Sequence, residues 1–140
     1  MTKTLAQIEG IPMHDALTLA VAVLLVAMTL ILTPMAPGGI IDTRDFAPLP
    51  RWQFTLFNIF LVSLGLASFV VAGFSLSGAT WVYVPAIVLG ALFIAVYAAD
   101  LAEVFPVVPD RMPSQLLVLE VINLALAGTL VTLSIRGVLT

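Results

Sequence analysis

Residues 52–99, WQFTLFNIFLVSLGLASFVVAGFSLSGATWVYVPAIVLGALFIAVYAA, run for 48 positions without a charged side chain. A helix rising ~1.5 Å per residue crosses a ~30 Å hydrocarbon core in ~20 residues. This run therefore holds two spans, and Ser77-Gly78 near its middle supplies the return. Outward from it, residues 16–33 form another uncharged stretch, and residues 116–135 form a fourth that carries a single charge, Glu120. The remainder is two tails and three short connections, the longest about 34–51. The expected fold class is all-α: a polytopic integral membrane protein, a four-transmembrane-helix bundle with short loops. It forms a single domain over 1–140, with helices at about 15–34, 52–76, 81–103 and 114–136. Strands are excluded because four could not close a barrel, and an open sheet leaves backbone groups unsatisfied in lipid.

Composition agrees with that reading. Charged residues make up 9% of the chain and hydrophobic ones 61%, against ~25% charged in an ordinary soluble domain. None of the connections is long enough for a water-soluble domain. A net charge of −3 argues against nucleic acid, which needs a basic surface. The absence of cysteine removes disulfides, thiolate metal sites and thiol nucleophiles, and the single histidine, His14, excludes a haem held by two histidines of this chain. Lys3 followed by an apolar run resembles a signal peptide, but the run from Ala16 is longer than a signal core and no Ala-x-Ala site follows it. It reads as a retained helix.

Helix boundaries follow from local chemistry. Asp15 is placed to cap the first helix, and Leu5 and Ile8 suggest a short interfacial turn before it. Pro34, Pro37 and Gly38-Gly39 end the first helix. Pro106 and Pro109 close the third, and Asp110 or Ser114 caps the fourth. Trp52, Trp81 and Tyr83 fall at span ends, where amphipathic rings belong. Arg44, between Asp42 and Asp45, reads as a local ion pair at the water boundary, worth little energy. Arg44, Arg51 and Arg111 on one side face Lys3, Arg136 and the amino terminus on the other, so the positive-inside rule leaves orientation open.

The helices carry stripes of small residues. Placing Gln53 over Gln115 sets Asn58 on Glu120, Gly65 on Ala127 and Ala72 on Ser134. Each set keeps to one helix face with a drift of only ~20° per heptad. The third helix has Ala91, Ala95, Ala98 and Ala102. Small residues at such spacing let helix backbones approach closely in lipid. The matched register fits a duplicated helix pair or ordinary bundle packing; both readings stay open.

Glu120, within an apolar span, is the first candidate site, since an intramembrane carboxyl is costly to keep there. Asn123 shares its face, and Asn58 and Asp100 fall in the same leaflet, so these four form a candidate ion, proton or interhelical polar site. Glu103 and Arg111 are the candidate interfacial charge partners, with Arg111 available to Asp100. Asp100 and Glu103 lie in the last turns of the third helix, where the helix dipole disfavours negative charge. Two carboxylates in one low-dielectric site cannot both ionise cheaply, so the group is expected to hold a proton between them. His14 beside Asp15 reads as a solvated helix start. No catalytic or metal constellation is legible: phosphate loop, Ser–His–Asp order and zinc spacing are all missing.

These features predict a non-enzymatic structural or accessory subunit, packing through small-residue faces in a homo-oligomer or larger membrane complex. Its partners are membrane lipids and other membrane subunits, its expected location the cell (inner, cytoplasmic) membrane. The alternative is a small proton- or cation-coupled transporter or channel using Glu120.

Overall fold

The computed structural model describes residues 13–140, and among these it is helical with no strand. The expected turn at Leu5 and Ile8 lies outside the described residues. Helix α1 spans Met13–Leu32 and continues through a 3-10 turn at Thr33–Met35, α2 spans Arg51–Leu76, α3 spans Tyr83–Leu101 after a 3-10 turn at Thr80–Val82, and α4 spans Ser114–Leu139. With their turns these segments hold 23, 26, 22 and 26 residues. At ~1.5 Å each, the shortest reaches ~33 Å, so all four are long and apolar enough to cross a membrane.

The helix ends differ from expectation in their chemistry. Because α1 begins at Met13, Asp15 lies in its first turn rather than at the cap. There it still opposes the positive end of the helix dipole. The fourth helix is capped neither by Asp110 nor by Ser114. Pro113 precedes it without a side-chain bond, and its carbonyl accepts the Leu117 N–H at 3.0 Å. The third helix stops at Leu101, two residues early, because Glu103 takes a left-handed conformation, φ 58°. The Glu103 N–H then reaches the Asp100 carbonyl and the Val104 N–H that of Ala99. This is the two-bond helix terminus more often built on glycine. Gly78, φ 84°, makes the same pattern after α2, with Gly78 bonded to Ser75 and Ala79 to Phe74.

Helix α1 is central. It packs against α2 on one side and α4 on the other, α3 lies against α4, and α2 and α3 touch only slightly despite their tight turn. Small residues permit the close crossings. A Cβ on Gly90 would stand 2.6 Å from Val131, and one on Gly65 would stand 3.3 Å from Thr29. The inward stripe positions Gly65, Ala72, Ala127 and Ser134 are buried, as close packing requires. The alanine stripe expected on the third helix does the opposite: Ala91, Ala95 and Ala98 of α3 and Ala102 just beyond it are all exposed. Tyr83 also departs from expectation, turning inward to 2% exposure while Trp52 and Trp81 stay exposed.

Candidate functional site

The first connection folds back into the bundle and brings Arg44 with it. Its guanidinium grips two carboxylates, one from its own segment and one from α3. Nε and Nη2 donate to the Asp42 oxygens, each at 2.8 Å. Nη1 and Nη2 donate to those of Asp100 at 2.8 and 3.1 Å. Both contacts are forked, the geometry that suits a planar guanidinium to a carboxylate. The Phe46 ring lies 5.4 Å from the guanidinium carbon. Burial lowers the affinity of Arg44 for its proton, but the hydrogen bonds to Asp42 and Asp100 and their charges outweigh it, so the net shift is upward.

The reading of Arg44 as a weak, solvated pair is therefore corrected. Arg44, Asp42 and Asp100 are all buried, so among the described residues Glu120 is one of four buried charged residues. The expected partner of Asp100, Arg111, is exposed instead, as is Glu103. Among the described residues both ion pairs belong to Arg44. The acidic end of α3, unfavourable by the dipole rule, thus has its compensation in a cation from another segment. Asp45 does not join the pair. Its backbone N–H donates to Asp110 at 2.6 Å and ties the first connection to the third.

Glu120, 3% exposed, lies deeper, beside Asp100, with Arg44 and Asp42 within electrostatic reach. One of its oxygens, Oε2, has no hydrogen-bond partner. Asn123, three residues on, donates from Nδ2 to the Tyr97 hydroxyl at 2.6 Å and to the Met28 carbonyl at 3.1 Å. Tyr97 was not among the expected site residues; the signal in the sequence is a hydroxyl-bearing residue inside an apolar run, three positions before Asp100.

The four grouped residues are thus only partly brought together. Asp100, Glu120 and Asn123 share one polar core, while Asn58 donates to the Phe54 carbonyl of its own helix at 2.8 Å. It lines a separate apolar groove of about 240 Å³ between α1 and α2, with Thr29, Leu61 and Gly65. Glu103 and Arg111 line the rim of a polar cleft of about 340 Å³ that also contains Arg44, Asp100 and Asp110. At the other end of the bundle, His14 is not simply solvated: its Nδ1 lies 2.9 Å from the Tyr83 hydroxyl.

Past Asn123 the inward face of α4 becomes apolar and closed, with Ala127 and Leu130 fully buried and Gly90 pressed against them. The next inward polar group is Ser134, eleven residues or ~16 Å along the helix. The arrangement is a charged cluster near one end of the bundle, with a packed apolar layer between α3 and α4 beyond it.

No curated protein and no solved structure matches the chain. Residues 17–140 match a family described as Domain of unknown function (DUF8051). That match takes in all four helices except the first four residues of α1, and the chain accordingly belongs to the DUF8051 family.

Proposed function

We propose that this protein is a non-enzymatic structural or accessory subunit of the cell (inner, cytoplasmic) membrane, assembling laterally as a homo-oligomer or within a larger membrane complex. The observation that carries this reading is the outward face of α3. Val84, Val88, Ala91, Ala95 and Ala98 are all exposed there at helical spacings of four and three, and Ala102, just past the helix end, is exposed as well. The outward residues of α2 are large by contrast, among them Leu56, Ile59, Leu66, Phe69 and Phe74. Against lipid, a small-residue face has no packing advantage; against another helix it allows close backbone approach. Extraction in gentle detergent is expected to give an oligomer or a heteromeric assembly. Ala95→Phe should release a folded monomer from it. A folded monomer from the unaltered chain would remove the reading.

A second reading, a proton- or cation-coupled transporter or channel, is favoured by the buried carboxyls around Glu120 and opposed by the packed layer beyond Asn123. Under it, Glu120→Gln abolishes a pH-dependent flux in liposomes with the fold intact. An unchanged flux removes it.

A further inference from the structure

A cavity of about 20 Å³ lies between Glu120 and the Arg44 pair, lined by Asp42, Arg44, Tyr97, Asp100 and Glu120, and by apolar side chains including Met35 and Phe57. A cavity of ~10–15 Å³ is the least that holds one water. The space therefore admits a single water and nothing organic. Arg44 and Asp100 line this cavity and also the polar cleft of about 340 Å³ outside it. They form the wall between that cleft and Glu120.

The charge balance of the cavity is uneven. Three carboxyls, Asp42 and Asp100 beside it and Glu120 within it, meet one guanidinium. Arg44 makes all its carboxylate contacts to the two aspartates. Glu120 thus receives no direct cationic bond, and its Oε2 is unpartnered. The titratable or charged groups around it are Asp100 and Tyr97 from α3 and Asp42 and Arg44 from the first connection. The neighbours from α2, Phe57 and Leu61, and from α1, Leu32, are apolar. A second like charge beside Asp100 in so small an apolar space is unfavourable. The chemistry needs one more positive charge, and the volume restricts it to something no larger than a hydrated proton or a bare ion. Among the described residues, no three His, Cys, Asp or Glu side chains are arranged to hold a metal.

We infer that Glu120, with Asp100 and Tyr97, forms an exchangeable proton-binding site, supplied through one cavity water from the cleft between the first and third connections. It is a one-sided site: the proton enters past Arg44 and Asp100, and the Ala127–Leu130 layer blocks passage onward. This goes beyond the assembly reading and does not depend on it. It names the ligand for the second reading without requiring flux.

Infrared spectroscopy of the full chain, reconstituted in lipid and perfused with buffers of stepped pH, tests the inference without measuring assembly or transport. A protonated-carboxyl carbonyl band is expected at neutral pH. It should shift when the protein is made with carbonyl-carbon-13 glutamate, disappear in Glu120→Gln, and be lost reversibly as buffer pH rises within the folded range. Labelling repeated with Glu9→Gln and Glu103→Gln in place, which leaves Glu120 as the one remaining glutamate, assigns the band even if Glu120→Gln misfolds. A band unmoved by glutamate labelling, no band at neutral pH, or a band that persists throughout the folded range would each overturn the inference. So would loss of the band when choline is replaced by sodium at constant pH, which assigns the site to a metal cation. A bulky maleimide on Arg111→Cys, at the cleft rim, should slow the response to a pH step; an unchanged response refutes entry through the cleft.

Discussion

Arg44 joins two segments that the chain separates by 56 residues, and its guanidinium leaves neither Asp42 nor Asp100 as an uncompensated buried charge. Removing one partner from a buried pair typically costs ~3–5 kcal/mol, whereas exchanging the whole group for apolar side chains of similar volume is often neutral. Arg44→Gln should therefore lower stability by about 3–5 kcal/mol, read by thermal or denaturant unfolding in detergent. Arg44→Lys should fall between, since one ammonium cannot fork to two carboxylates. The combined Asp42→Leu, Arg44→Met and Asp100→Leu variant should recover most of the loss. An Arg44→Gln protein as stable as its parent would show that the clasp holds nothing together. Much of this site was legible in the chain. Glu120, Asn123 and Asp100 stand out because polar groups inside or ending an apolar run have few places to go. Arg44 was not legible, because adjacent aspartates offered it a local partner. Only the path of a proline-rich connection, which no periodicity encodes, turns it inward. Asn58 was misgrouped for a related reason: depth along a helix does not specify which neighbour its face meets.

At the level of the helix, existence was easy to read and termination was not. Charge-free runs and the proline pairs located all four spans, but the ends are made by backbone hydrogen bonds rather than by the capping side chains the sequence offered. Glu103 is the clearest instance. Its left-handed backbone costs a residue with a Cβ ~1–2 kcal/mol, and glycine's extra freedom in the unfolded chain returns ~0.5–1 of that. Glu103→Gly is therefore expected to stabilise the fold by up to about 1 kcal/mol, and a loss of stability would contradict the assigned helix terminus. Gly137 is the opposite case. A Cβ there would stand 2.5–2.6 Å from the Tyr83 ring, which is buried and joined to His14. Gly137→Ala should cost about 1–3 kcal/mol by overpacking and disturb the His14–Tyr83 contact. The same change at Gly73 or Gly128, where a Cβ meets nothing within 4 Å, should leave stability unharmed. Equal losses at all three glycines would mean that helix interiors, not this crossing, set the penalty.

For the molecule as a whole, the two ends of the bundle are unlike and the number of crossings decides what each can do. One end carries Asp42, Arg44, Asp100, the cleft and the Asp45–Asp110 bond, which holds the first and third connections together. The other carries the Ser77–Gly78 return, with His14 and Tyr83 nearby in the fold. Four helices long and apolar enough to cross a membrane would, on crossing, put these ends on opposite faces of a bilayer, with the charged groups around Glu120 on the side of the first and third connections. The natural chain has no cysteine, so single replacements report sidedness cleanly. Ile40 and Ser77 are both exposed, one in the first connection and one in the return after α2. In sealed vesicles of uniform orientation, an impermeant maleimide should label only one of Ile40→Cys and Ser77→Cys, and the other only after the membrane is permeabilised. Arg111→Cys should behave as Ile40→Cys does. Labelling of Ile40 and Ser77 from the same face would mean that α2 does not cross. The packed layer beyond Asn123 could not then separate two aqueous compartments, and a one-sided approach to Glu120 would lose its physical basis.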